Sequence, residues 1–467
     1  MQRTIGCGLL AVAIACPGLA AGPAEPNPQI AAVVAAISAQ RIEARIAKLA
    51  SFHTRHTLSE TNSETRGIGA ARRWIKAELD HCSEASGGRL KVAFDAYVEP
   101  PGRRIPQAVE IVNVVAVLPG AQAGPLDRYY VVSGHYDSRA TDVMDAKGQA
   151  PGANDDASGV AAVMEMACVM AAQRFDATLV FMAVAGEEQG LLGAKHWAEQ
   201  AEKLGLPLAG MITNDIIGSS TGADGKRDNR SVRLFANGLP ALLTAQSGAT
   251  SDAFAQRARA ELKAIAQSGG EFDTPTHQLG RYLKEIGERY LPGFTVHLIP
   301  RPDRFLRGGD HLPFLERGYA AVRFTEPAED YRHQHQDVRR EGGVQFGDLP
   351  EFVDPAYVAQ VTRINAAGLA ALALAPAPPR EVGIEVGELE NDTTLRWRAN
   401  AEPDLAGYRI LWRDPGEATW THALDVGKLT RHTLKGISKD NFVFGVAALD
   451  HDGNASPASF PRPLRPE

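Results

Sequence analysis

Five clusters of His, Asp and Glu carry the chemistry open to this chain. The first is Ser133-Gly-His-Tyr-Asp-Ser138, where His135 follows an apolar run and Asp137 stands near enough to orient its ring, as a metal-bound imidazole requires. The second, Asn154-Asp155-Asp156, opens a helical stretch. One acid caps a helix; three crowded polar groups, two of them anionic, call for a cation. The third, Glu187-Glu188, closes an apolar run, where adjacent carboxylates repel and desolvation is costly. A division of labour relieves this: Glu188 binds metal and Glu187 stays free to move protons. The fourth is Asn214-Asp215, and the fifth is Tyr331-Arg-His-Gln-His-Gln-Asp337, which offers His333 and His335. Asp310 reads instead as the N-cap of a helix over 312–317.

Each cluster is weak alone, because single acids cap turns and loop histidines are commonly exposed. Together they place nitrogen and oxygen donors at the ends of several strands, a set suited to two borderline divalent ions and, without thiolates, to catalytic zinc. A carboxylate shared between two such ions holds them roughly 3.5–4 Å apart.

The elements that must position these residues alternate along the chain. Strands are expected over 111–118, 129–133, 178–184, 211–215, 294–299 and 321–325, several of them apolar on both faces. Helices are expected over 158–172, 191–204, 276–290 and 357–374, with further helices over 29–50 and 69–79. This pattern predicts an α/β domain with a mostly parallel central sheet covered by helices on both faces, and chemistry at the carboxyl ends of the strands. Residues 219–270, polar and then Ala/Arg/Gln-rich, are expected as an insertion or lid beside the strand ending at Asp215.

Length and composition bound the rest. The chain has 467 residues, enough for two to four domains at roughly 100–200 residues each. Its 44% hydrophobic and 22% charged residues exclude a disordered chain, and 49 basic against 56 acidic residues argue against nucleic acid as a partner. Residues 1–21 read as a signal peptide: Arg3, an apolar run over 5–15 too short to span a bilayer, and small residues at Gly18, Ala20 and Ala21. The expected location is therefore periplasmic or extracellular, with no membrane span. Cleavage leaves Cys82 and Cys168, too few for a disulfide framework, and Cys168 reads as a small buried hydrophobe.

The composition shifts at a Pro-rich linker, 375–380, which ends the large domain 22–374. Beyond it, 381–467 carries short alternating strands separated by turns at Asn391-Asp392, Asp414-Pro415-Gly416 and Asp452-Gly453, the pattern of a small all-β sandwich. It resembles a fibronectin type III module in Leu395-Arg-Trp397 and Gly407-Tyr-Arg-Ile-Leu-Trp412, and it holds no His/carboxylate cluster. We read it as an accessory module for a surface or partner.

The ordered motifs Gly134-His-Tyr-Asp-Ser, Gly152-Ala-Asn-Asp-Asp-Ala-Ser-Gly, Glu187-Glu-Gln-Gly-Leu-Leu-Gly-Ala, Asn214-Asp and a final His resemble the co-catalytic zinc aminopeptidases related to secreted bacterial leucyl aminopeptidases. The resemblance spans about residues 50–370. It implies His135 and Asp215 as ligands of one zinc, Glu188 and the last His as ligands of the other, Asp155 as the bridging carboxylate and Glu187 as general base. For the last His it implies His333, four residues before Asp337, over His335, two before it. Peptides are the implied substrates. Glutaminyl cyclases, which share the Glu pair but use one zinc for acyl transfer, and a non-catalytic exported binding protein are the competing readings.

Overall fold

In the computed structural model, which describes residues 26–122, 124–239 and 252–464, the apolar runs become strands. The expected signal at 1–21 lies outside the described residues. The strands are β1 (Lys91–Glu99), β2 (Val109–Leu118), β3 (Tyr129–His135), β4 (Thr178–Val184), β5 (Leu208–Asn214), β6 (Ser231–Phe235), β7 (Thr295–Ile299) and β8 (Ala321–Thr325). They form one eight-stranded sheet in the order β1-β2-β4-β3-β5-β8-β6-β7. β4, β3, β5 and β8 are parallel neighbours, so their carboxyl ends share one edge. β1, β2 and β6 join antiparallel on the flanks.

Both faces of this sheet are covered, which is why β4 reads as unbroken apolar sequence. Leu179, Phe181 and Ala183 face a core built with α1 (Pro28–Ala36), α2 (Ala39–Ala50), α3 (Gly67–Ala85), α4 (Ala157–Ala171), α7 (Pro275–Tyr290) and α9 (Pro355–Leu374). Val180, Met182 and Val184 face α5 (Leu192–Leu204) and α8 (Leu312–Leu315). The helix expected over 29–50 is two helices: Ser38 adopts an extended backbone and caps α2 through the Arg41 N–H. Within 219–270 lie β6, which pairs into the sheet between β8 and β7, and α6 (Asp252–Ser268). Among the described residues no helix is long and apolar enough to cross a membrane.

The cysteines correct an expectation. Cys82 on α3 and Cys168 on α4 form a disulfide, with Cα atoms 5.0 Å apart. Two thiols make no framework, but packing α3 on α4 brings them within bonding reach.

After the small hairpin β9 (Arg339–Glu341) and β10 (Val344–Phe346), the chain ends in a two-sheet sandwich. It comprises β11 (Arg380–Glu385), β12 (Thr393–Arg398), β13 (Leu405–Arg413), β14 (His422–Asp425), β15 (Arg431–Leu434), β16 (Val443–Asp450) and β17 (Arg462–Leu464). The sheets β15-β12-β11-β17 and β14-β13-β16 enclose Leu395, Trp397, Tyr408, Ile410, Phe444 and Val446. The sandwich is fastened to α7. Buried Asp273 receives Arg281 at 3.1 Å and Arg413 of β13 at 2.7 Å, both guanidiniums lie against Trp420, and the Trp420 N–H donates to Glu285.

Candidate metal centre

Three parallel strand ends and one helix start converge on the centre. His135 is the last residue of β3, Glu187 and Glu188 follow β4, Asp215 follows β5, and Asp155 precedes α4. The Asn154-Asp155-Asp156 run divides its work. Asp156 caps α4 through the Gly159 N–H (2.9 Å) and also accepts from the His135 N–H (3.0 Å), tying helix start to strand end. Asp155 is left to face the two imidazoles: one carboxylate oxygen lies 3.1 Å from His135 Nε2 and the other 2.9 Å from His335 Nε2. The Asp155–Asp156 peptide bond is cis.

The last histidine is His335, not His333. His335 Nε2 also lies 3.0 Å from Glu188 Oε1, and its backbone holds a left-handed φ of 52°, a conformation that a non-glycine residue keeps only under constraint. His333 stacks on Phe352 with ring centroids 3.6 Å apart and faces Asp330, outside the cluster. Its spacing to Asp337 carries no contact, because Asp337 pairs with the Thr141 N–H and hydroxyl instead. The ligand-type atoms then fall into two groups, His135–Glu187–Asp215 and Asp155–Glu188–His335, each with all its atoms within 4.8 Å of one another.

Asp137 supports both groups. Its carboxylate accepts from the Glu187 and Glu188 N–H groups at 3.2 and 3.1 Å and from the Thr57 hydroxyl, and it lies 3.5 Å from His135 Nδ1. The residue expected to orient His135 thus also shapes the Glu-Glu turn.

The electrostatics show a cluster short of positive charge. Burial works to lower the His335 pKa, but Glu188 and Asp155 outweigh it and push it up to about 10. Burial likewise opposes the charged form of His135, and Asp137 and Asp155 still raise it well above the usual imidazole value. Removal from water, with the charges of Glu188, Asp215 and Asp310 behind it, holds Glu187 well above the carboxylate range against the pull of His135. Glu188 Oε1 is buried, with His335 Nε2 3.0 Å away but no well-aligned hydrogen bond. Imidazoles drawn toward protonation, a buried carboxylate oxygen without an aligned donor and a donor set of His and carboxylate all fit borderline divalent cations in this position.

Several buried charges around the centre carried no recognised motif. Arg323, 1% exposed, donates to Asp215 at 2.9 Å and is also held by Asp303, whose carboxyl falls to about 2: burial opposes the shift, and Arg323 drives it. Its visible signal is an arginine inside the apolar strand Ala-Val-Arg-Phe-Thr, since a buried cation needs acids nearby. Asp348 accepts from the Asn154 and Asp155 N–H groups, and buried Arg55 binds the Pro151 and Gly152 carbonyls. Asp310 does not cap α8; His311 occupies that position. Asp310 is buried with both carboxylate oxygens unpartnered, and burial pushes its pKa up to about 7.

Residues 113–341, from β2 through the histidine loop, match the model of peptidase family M28. A probable zinc metalloprotease of Leptosphaeria maculans is 47% identical over 438 residues, covering 94% of this chain and 98% of the relative. One of Pyricularia oryzae is 45% identical over 443 residues, covering 94% and 85%. Matches of that extent take in the sandwich as well as the α/β domain. Among solved structures, the LapA aminopeptidase of Legionella pneumophila shares the fold, with a TM-score of 0.51 at 17% identity over 79% of this chain and 77% of that one. Sequence identity near one half, sustained over almost the full length of both chains, together with the family match over 113–341, shows that the chain belongs to peptidase family M28.

Proposed function

We propose that the chain is an exported zinc aminopeptidase that releases N-terminal residues from peptides. The observation that carries this reading is Asp155 set between His135 and His335, with Asp215 and Glu188 completing a ligand group on either side. In this reading His135 and Asp215 hold one zinc, Glu188 and His335 the other, and Asp155 both. Bound zinc supplies Lewis acidity toward the scissile carbonyl and lowers the pKa of water.

The chain's own groups do the rest. Glu187, whose carboxylate stands within the His135–Asp215 group, serves as base rather than ligand: it accepts the proton of the attacking water as the C–O bond forms, then returns it to the departing amine as the C–N bond breaks. Asp137 holds the Glu187 backbone, so the base keeps its aim. The unpartnered carboxyl of Asp310, beside the His135–Asp215 group, suits a substrate α-ammonium, which supports attack at the amino end. The Cys82–Cys168 disulfide supports export, since such bonds persist in oxidising compartments. We read the sandwich as a fibronectin type III-like accessory module.

The test is a peptide library digested with the zinc-loaded protein, scored for which end shortens. Glu187→Gln is expected to keep two zinc ions per chain and to lose turnover by about 10²–10⁴-fold. Retained turnover would overturn the base assignment, and a single tightly bound zinc would favour the cyclase reading.

A further inference from the structure

We propose that Arg104, Arg139 and Arg307 form a carboxylate-binding subsite beside Glu188, so that the preferred substrates are short peptides carrying a carboxylate close to the scissile bond. The inference rests on the peptidase reading above and names the substrate class of that same site.

The three arginines come from three separate loops and each reaches the Asp155–Glu188–His335 group. Arg104, between β1 and β2, donates to the Glu188 carbonyl at 2.7 Å. Arg139, four residues after the β3 histidine, brings Nε to 4.0 Å from Glu188 Oε2 while donating to the Ala140 and Thr141 carbonyls. Arg307 donates to Gln334 at 3.2 Å, and Gln334 in turn donates to Asp155 at 3.3 Å. Each keeps part of its surface in solvent, 16% of the side chain for Arg139. Side chains that touch a buried centre and also reach water line its mouth.

Their charges lack an answer. Among the described residues, Glu188 is the one carboxylate within ion-pair distance of any of the three. That carboxylate is already committed to His335 and, in the proposed enzyme, to a cation. Guanidiniums gathered beside two divalent ions repel them and one another unless an anion is placed there. The planar guanidinium fork matches a carboxylate in particular. Beside His135 and Asp215, Asp310 offers a carboxyl with no hydrogen-bond partner. Guanidiniums beside Glu188 and an unpartnered carboxyl beside His135 fit a molecule with an ammonium and a carboxylate a few bonds apart, as in a dipeptide or tripeptide. The carboxylate comes either from the free C-terminus or from an acidic side chain.

Steady-state kinetics on dipeptides with a free C-terminus, their C-terminal amides, and amides with Asp or Glu in the second position separate these sources. The zinc-loaded wild type is expected to favour the free acid over the amide by about tenfold or more in kcat/KM, chiefly through KM. In Arg104→Gln/Arg139→Gln that ratio is expected to fall toward one, with Arg139→Lys restoring part of it. A preference confined to Asp or Glu amides assigns the subsite to a side chain. Equal rates on all three series, or variants that slow every substrate with the ratio intact, overturn the proposal and leave the arginines as loop fasteners. If no peptide is cleaved, the peptidase reading fails separately. Calorimetry of the same dipeptides and amides with zinc-loaded Glu187→Gln then decides the subsite: tighter binding of the free acid supports it, and equal binding overturns it.

Discussion

Asp310 holds a carboxyl in the interior with no donor for either oxygen, a position that works against the folded state when the group is ionised. Because burial pushes its pKa up to about 7, the folded metal-free chain keeps a proton there that an unfolded chain loses near pH 4. Stability from this group is full below about pH 4 and is lost as pH rises through about 7. Asp310→Asn should therefore gain in Tm over the wild type progressively between about pH 4 and pH 7 and level off above, read by calorimetry on the metal-free protein; a gap that stays flat across that range would refute the assignment. The histidines make a second prediction at this scale. His335→Ala should lower the bound zinc, measured by elemental analysis after dialysis, whereas His333→Ala should leave it unchanged and cost only about 1 kcal/mol of stacking on Phe352. Both histidines were legible as candidates in the sequence. Spacing favoured His333, whereas the structure brings His335 into the cluster, because Asp337, the supposed marker, turns away to Thr141.

At the scale of elements, the centre depends on how closely β3, α4 and β5 approach. Gly159, in the first turn of α4, has no room for a side chain: a Cβ there would stand 2.3 Å from the Asn214 carbonyl and 2.5 Å from the Asp156 carboxylate. Since the nearest obstacle is backbone, Gly159→Ala should destabilise by about 1–3 kcal/mol in urea and reduce zinc binding by shifting Asp155. Gly416→Ala, where a Cβ meets nothing within 4 Å, should stay within about 0.5 kcal/mol of wild type. Equal effects would mean that the close approach is not what fixes α4. The strands and main helices were readable because β4 and its neighbours are apolar on both faces and α4 is bounded by acids. β1 was not readable, since its burial alternates only weakly along an exposed edge. Nor was β6, five residues inside a polar stretch that count as a strand only once β8 pairs with them.

Across the whole molecule, the sandwich lies at the far end of the sheet from the centre. Tyr130 at the start of β3, Ala209 at the start of β5 and Ala320 just before β8 line one cavity of about 530 Å³ with Pro378, Val382 and Phe460. A seven-residue strand is roughly 23 Å long, so the sandwich stands about that far from His135 and acts through rigidity, not contact. Its fastening is a buried ion network, and removing one member strands the others. Arg413→Met should cost about 3–5 kcal/mol in urea unfolding while leaving zinc content unchanged. Loss of zinc with little loss of stability would place the sandwich nearer the chemistry than the structure does.

By itself the sequence determined which residue types sit at strand ends, and therefore a His/carboxylate chemistry on a covered, mostly parallel sheet. Those are local properties, carried by apolar periodicity and by acids that no helix cap needs. Only the tertiary structure decided which histidine closes the second group, that Cys82 meets Cys168, that Arg323 and Asp303 buttress Asp215, and that Asp310 faces the centre without a partner. Each of these pairs is far apart in the chain or differs only in the direction a loop turns, and direction is set by packing against distant elements.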